Sequence, residues 1–362
     1  MTTYKGNIVL ENNIIYDGYI SIRDKEIVYV GEVRPDGQVE DYENCYILPG
    51  FIDVHCHGGN GVNAYENPEV VADFHLSHGT TTLLMSFYRN LSHETLLKSL
   101  IAVKELQKTK SNVLGAHLEG PYINANLGMK FANNQEFVPN KEKYAEYLKL
   151  GIIKSWTCAP EIDGVQEFIK EVKKNDDKIV VALGHSEANF YEIKKARDNG
   201  ASLITHMFDA TGNTTYSQPY YVGTKDLDFD LSAMYLNGFF YEIICDEKWI
   251  HVRKEMLELL IRCVGKEKII CITDYSCDKG SVENKQSDIN INNGFLSGSR
   301  LTMDKVVKNL FNVGYSFNDI AKFTSINAKN CFNLKDRGEL KVGMRSDLVI
   351  LSKDADLIKV IQ

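Results

Sequence analysis

The chain has 362 residues, 44% of them hydrophobic, and a formal net charge of −8. That content fills a large core and excludes a disordered chain, and the acidic balance excludes the clustered positive charge of a binder of nucleic acid or anionic membranes, so a small-molecule partner is expected. The eight cysteines form no Cys-x-x-Cys pair and read as reduced residues, and neither an apolar leader nor a membrane-length run is visible, so the expected compartment is the cytoplasm.

In chain order, residues 7–10, 19–22 and 26–30 alternate as short strands, broken by turn residues at Asp17-Gly18, Arg23-Asp24 and Pro35-Asp36-Gly37. The closing stretches 338–343 and 347–351 have the same texture. Residues 1–48 and 338–362 are therefore expected to pair into a small β-sandwich domain, leaving 49–337 as a second domain. Within that second part strands alternate with helices. The clearest unit is a strand at 178–183, a helix at 187–199 closed by Gly200, and a strand at 202–205. Further helices are expected at 68–77, 93–107, 141–150, 164–175, 253–264, 302–313 and 317–324. Such alternation specifies a parallel sheet with helices packed on it.

Five apolar, strand-like runs stop on metal-ligand types. The run 46–54 ends on His55-Cys56-His57, and alternation along a strand turns both imidazoles to the same side. The runs 113–119, 179–185, 202–206 and 269–274 end on Glu119, His185, His206 and Asp274. One histidine at a strand end is commonly structural; five such ends in order along one chain are not an accident of composition. Imidazole and carboxylate suit Zn, Mn or Fe. Since all strand C-termini of a parallel barrel open on the face that holds the active site, the expected fold is a TIM-like (β/α)8 metallohydrolase barrel.

With these residues in place, the chain resembles the amidohydrolase superfamily over nearly its whole length and, within it, the N-acetylglucosamine-6-phosphate deacetylase family. The resemblance lies in Leu48-Pro-Gly-Phe-Ile-Asp-Val-His-Cys-His-Gly-Gly59, His117-Leu-Glu-Gly-Pro-Tyr122, Leu183-Gly-His-Ser186 and Thr205-His-Met-Phe-Asp-Ala210. It implies that Glu119, His185 and His206 bind one divalent metal, that His55 and His57 hold a second with Glu119 bridging, and that one or two ions sit in each chain. It further implies Asp274 as the catalytic acid/base, His251 as a contact to the sugar, and a homodimer. His117 is expected to support the ligands.

Three features depart from the family pattern. Relatives carry a histidine shortly after the Glu-Gly-Pro block, where residues 127–134 have none and Lys130 or an asparagine stands in its place. Asp209 replaces an asparagine, and residues 211–230 lack the arginine that reaches the phosphate in the neighbouring subunit, leaving Lys225. Candidate substrate contacts are therefore His251, Lys225 and Lys130, with backbone N–H groups at Asp209 and Ala210. The tyrosines 216, 220 and 221 either line the sugar pocket or pack in a loop.

Amide hydrolysis needs a nucleophile, a polarised carbonyl and a proton for the leaving nitrogen; a divalent metal covers the first two and Asp274 moves the proton. The other role open to Asp274 is a helix N-cap. The expected function is metal-dependent removal of the acetyl group from an N-acetylated amino-sugar phosphate. The alternatives are an amidohydrolase for an unphosphorylated or different N-acyl substrate, and a metal-binding sensor without turnover. A pure sensor has no use for Asp274.

Overall fold

The computed structural model describes residues 1–128, 137–212, 227–277, 288–292 and 295–362. Eight strands run parallel and neighbour one another in sequence order: β1 (Phe51–Cys56), β2 (Thr80–Tyr88), β3 (Val113–Glu119), β4 (Ile153–Cys158), β5 (Val180–Leu183), β6 (Ala201–Ile204), β7 (Phe240–Ile244) and β8 (Ile269–Ile272). The ring closes between β8 and β1, where Asp274 N donates to His55 O at 2.9 Å and His57 N to Tyr275 O at 2.9 Å. Every residue of β5 and β8 is buried. Such continuous apolar runs are what a parallel strand covered on both faces requires.

Helices α1 (Pro68–Ser77), α2 (His93–Leu106), α3 (Lys141–Lys149), α4 (Val165–Asn175), α5 (Phe190–Asp198), α6 (Phe229–Tyr235), α7 (Lys254–Val264) and α8 (Met303–Asn312) follow the strands. Their starts are written in the sequence: Asn67 accepts from Val70 N ahead of Pro68, and Asn189 with Glu192 forms a capping box for α5. The expected helix at 187–199 starts three residues later than its periodicity suggested. Glu161 explains the delay, because it takes the Ser186 hydroxyl at 2.6 Å and the Glu187 N–H at 2.8 Å and so holds that stretch as a loop. The helix expected at 317–324 is regular only over Phe317–Ala321, then passes through a π-helical turn, Lys322–Ile326, into Asn327–Cys331. Helix α6 had not been expected.

The two chain ends share one six-stranded sheet, in the order Leu357–Ile361, Leu348–Leu351, Val39–Pro49, Thr2–Val9, Ile14–Arg23, Glu26–Gly31. Val39–Pro49 pairs parallel with Thr2–Val9 and antiparallel with Leu348–Leu351, then passes through Gly50 straight into β1. The sheet thus anchors the strand that carries the two leading histidines. Among the described residues no helix is long and apolar enough to cross a membrane.

Candidate metal centre

The five strand ends singled out by pattern converge on one point at the mouth of the barrel. Glu119 is the last residue of β3 and lies between two imidazole pairs. On one side His185 Nε2 and His206 Nε2 stand 2.9 and 3.1 Å from its Oε1 and 3.0 Å from each other. On the other, His57 Nε2 is 3.2 Å from its Oε2, and the Nε2 atoms of His55 and His57 are 3.1 Å apart. Two groups of ligand atoms able to hold a cation result, His55–His57–Glu119 and Glu119–His185–His206, sharing the carboxylate. Asp274 completes the ring, its Oδ1 3.5 Å from both His55 Nε2 and His57 Nε2. It caps no helix: the following Tyr275 forms β-bridges to Cys56 and Ser299.

The backbone is bent to achieve this. His185, His206 and Asp274 all have positive φ, at 47°, 25° and 45°, a conformation that costs a non-glycine residue about 1–3 kcal/mol. Each follows the end of its strand, and the turn aims its side chain across the barrel mouth.

Electrostatics set one anion, Glu119, among imidazoles that shift in opposite directions. Burial alone would raise the Glu119 carboxyl, but the charge of His185 and hydrogen bonds from His185, His206 and His57 outweigh it and hold the group well below the usual range. Burial lowers His55 and His185. His206 goes the other way, to about 10, since its hydrogen bond to Glu119 overcomes its own burial. Burial, then the charge of Glu119, pushes Asp274 well above the ordinary carboxylate value.

Beneath the ligands lies a layer of which pattern reading marked only His117. Glu242 of β7 accepts from His55 Nδ1 at 3.1 Å and from His206 N at 3.3 Å, and burial raises its pKa to about 7. His206 Nδ1 faces Asp209 O at 3.1 Å. Both contacts engage the rear nitrogen of an imidazole, which directs the Nε2 lone pair into the mouth. His117, expected to support the ligands, bridges Ser86 Oγ and Thr157 Oγ1 at 2.9 and 2.8 Å and packs edge-on against His55. Asp53 accepts from Thr273 Oγ1 at 2.5 Å, tying β1 to β8. A third cluster, Asp53, Cys56 and His75, has ligand-like spacing but is already occupied: His75 Nε2 lies 2.8 Å from Gly58 O and 3.0 Å from Cys56 Sγ. It braces the His55–His57 segment from behind.

A cleft opens over the ligands, walled by Tyr88, Arg89, Asp209, Ala210, Ser276 and Gly298 among others. Tyr88 stacks on His57 with ring centroids 3.9 Å apart and donates to Ser276 Oγ at 2.9 Å. Two of the expected substrate contacts, Asp209 and Ala210, are in this wall. His251 sits behind it and is buried, with Nδ1 3.1 Å from Asp246 Oδ2 and Nε2 3.2 Å from the Gly298 carbonyl. Lys130, Lys225 and the tyrosines 216, 220 and 221 lie outside the described residues. Arg89 was not anticipated; it follows β2 in a stretch without ligand-type neighbours, and no periodic signal marks it.

The model of the amidohydrolase family matches residues 46–361. The chain belongs to that family. As an amidohydrolase it is 29% identical to the N-acetylglucosamine-6-phosphate deacetylase of Bacillus subtilis, over 97% of this chain and 93% of that one. The solved N-acetylglucosamine-6-phosphate deacetylase of Thermotoga maritima is 26% identical and superposes with a TM-score of 0.82, covering 99% of this chain and 97% of that one. The Mycobacterium smegmatis enzyme of the same name, 23% identical, shares the fold with a TM-score of 0.86 over 100% and 98% of the two chains. The barrel and the sheet of the chain ends are thus the architecture of these hydrolases, and the His/Glu groups at its mouth are able to hold a divalent cation.

Proposed function

We propose that this amidohydrolase removes the acetyl group from an N-acetylated amino-sugar phosphate, giving acetate and the free amine. The names of its relatives support the substrate class. The observation that carries the reading is Asp274 Oδ1, 3.5 Å from both His55 and His57 at the floor of the cleft, where a proton carrier for amide cleavage belongs.

The donor set suits divalent metal. Imidazole nitrogens 3.0–3.1 Å apart have the spacing of two ligands on one ion with metal–nitrogen distances of about 2.0–2.1 Å. Glu119, His185 and His206 would hold one ion and His55 and His57 a second, with Glu119 shared; Zn, Mn and Fe all accept this set. A bound ion supplies a nucleophile at neutral pH and a polarised carbonyl. Asp274 accepts a proton from the attacking water at Oδ1 and returns it to the departing nitrogen. Glu242 and the Asp209 carbonyl keep His55 and His206 oriented throughout. His251 acts on the substrate through Gly298, whose carbonyl it holds at 3.2 Å in the cleft wall.

Asp209 in the cleft wall repels a phosphate, so the preference for phosphorylated over plain N-acetylhexosamine should be modest. Acetate release from both, with protein loaded with Zn, Mn or Fe, tests this. Comparable specificity constants for the two would favour an unphosphorylated N-acyl substrate, and no acetate from either would sink the deacetylase reading. Metal analysis should find two equivalents per chain, reduced to one in the double variant His55→Ala, His57→Ala. We also place the domain boundaries at 48/49 and 337/338, supported by a separate apolar cluster in the terminal sheet, and expect a homodimer by sedimentation.

A further inference from the structure

The imidazoles of the centre are not all held in the same way. Behind His55 and His206 the rear nitrogen has a partner, Glu242 for the first and the Asp209 carbonyl for the second, each at 3.1 Å. His57 Nδ1 and His185 Nδ1 are buried and have none. An imidazole without a rear hydrogen bond is free to turn about its Cβ–Cγ bond and carry Nε2 off an ion, so packing has to stop it. For His185 the stop is the Gly128 backbone, so close that an added Cβ would meet the ring at 2.9 Å. For His57 it is Tyr88.

The rings of His57 and Tyr88 lie almost parallel, with 3° between their planes and 3.9 Å between centroids. That is van der Waals contact over a whole face, so turning the imidazole drives its atoms into the phenol. Tyr88 is itself fixed at both ends. It is the last residue of β2, in register with Glu119 on β3, which sets it level with the shared carboxylate. Its hydroxyl donates to Ser276 Oγ at 2.9 Å. Ser276 is pinned in turn, its N–H donating to Ser299 O and its carbonyl accepting from Asn290 Nδ2, both at 2.9 Å. The phenol thus reaches from β2 across His57 to the segment that carries Asp274. We propose that Tyr88 is a positioning residue whose ring does for His57 what Glu242 does for His55, so that retention of the ion held by His55 and His57 depends on it. This rests on the two-ion reading of the centre. A stack brings no negative charge, so it orients His57 without making it the stronger base that a carboxylate partner would.

The test reads metal retention rather than turnover: holoprotein is equilibrated against zinc buffers of graded free-ion concentration, and zinc per chain is measured. His57→Ala identifies the equivalent held by His55 and His57. In Tyr88→Met the midpoint for that equivalent should move to about 10- to 100-fold higher free zinc, the usual loss for a group that supports a ligand, while the other stays within about threefold of wild type. Tyr88→Phe keeps the ring and should retain both equivalents as the wild type does. Tyr88→Met added to His57→Ala should cause no further loss, because the ring then has no imidazole to hold. Unchanged midpoints in Tyr88→Met, or equal losses of both equivalents, would overturn the proposal. So would a loss of about tenfold or more in Tyr88→Phe, which would assign the effect to the hydroxyl. If Tyr88→Met does not fold, Tyr88→Leu takes its place and is read in the same way. A wild type that retains a single equivalent would overturn the two-ion reading. The Tyr88 variants would then be judged on that equivalent if His57→Ala weakens it, and the proposal would fall with the reading if it does not.

Discussion

The barrel mouth and the sheet of the chain ends are built on opposite principles. In the sheet the buried cluster is almost wholly aliphatic, including Ile8, Ile20, Ile27, Ile47, Leu348 and Ile350, and charged residues pair outside it, as Lys5 does with Asp41 at 3.1 Å. At the mouth the buried residues include Asp53, His55, His57, His117, His206, Glu242 and Asp274. Apolar burial stabilises by about 25 cal/mol per Å², whereas buried ionisable groups cost free energy unless each is paired. Backbone follows the same division. Positive φ in the sheet falls on Asp17 and Asn44 within irregular strands and on Asp24 in a turn, types that tolerate it, while at the mouth it falls on His185, His206 and Asp274. The sheet holds the chain together, and the mouth spends stability on chemistry.

Two substitutions would break this division if it is wrong. Asp274→Asn should lower turnover by about a hundred- to ten-thousand-fold, as expected on removing a positioned proton carrier, with metal content unchanged. Its melting temperature should hold or rise, because an amide is easier to bury beside Glu119 than a carboxylate. Metal loss would recast Asp274 as mainly a ligand, and retained turnover would remove it from the mechanism. Ile350→Ala in the sheet should do the reverse. Its side chain is fully buried, so urea denaturation should report about 2–5 kcal/mol less stability while turnover per folded molecule stays at the wild-type value. A comparable loss of activity would mean that the sheet and the mouth act as one unit.

The same contrast explains what could be read from the sequence. Strand ends carrying His55, His57, Glu119, His185, His206 and Asp274 were legible because an apolar run stopping on a ligand type is a local signal and the barrel brings all such ends to one face. The start at Pro68, capped by Asn67, was legible, whereas the Asn189–Glu192 capping box that starts α5 was passed over. Glu242 was passed over too, although a lone carboxylate inside Phe240–Ile244 was a usable clue, since a charge in a two-sided apolar strand needs a partner. Arg89 left no trace, because its place in the cleft wall depends on how the loop after β2 lands. The π-helical turn at Lys322–Ile326 was invisible for a similar reason: it shifts the helix by one residue without a change in composition.

Acid offers a sharper probe of the mouth's support. His75 of α1 is fully buried behind the His55–His57 segment, and burial lowers its pKa to about 4. The folded chain therefore keeps it neutral between about pH 6.5, where an unfolded histidine titrates, and about pH 4. Over that window the unfolded state binds the extra proton, so stability falls as pH falls, by up to about 3 kcal/mol for a shift of this size. Above about pH 6.5 the contribution is complete. Denaturation curves from pH 7.5 to 4 should show this slope, and His75→Gln should remove it. An identical slope in the variant would assign the acid sensitivity to other groups.

The smallest effect belongs to the charges on the sheet. Lys359 Nζ lies 2.7 Å from Glu40 Oε2 and 3.1 Å from the Tyr42 hydroxyl, and it hangs 5.2 Å from the Tyr4 ring centroid. The Glu40 hydrogen bond, then that of Tyr42, raises Lys359, and Lys359 in turn lowers Glu40. Both side chains are more than a third exposed, so water screens the pair and its ordering entropy offsets much of the attraction. Lys359→Met should therefore cost no more than about 1 kcal/mol, and the difference should shrink as salt is raised to about 1 M, where the Debye length falls to about 3 Å. A larger, salt-insensitive loss would mean that the aliphatic stem of Lys359 packs on Tyr4 and Tyr42 as part of the core, and the line between the sheet's apolar interior and its charged edge would have to be moved outward to include it.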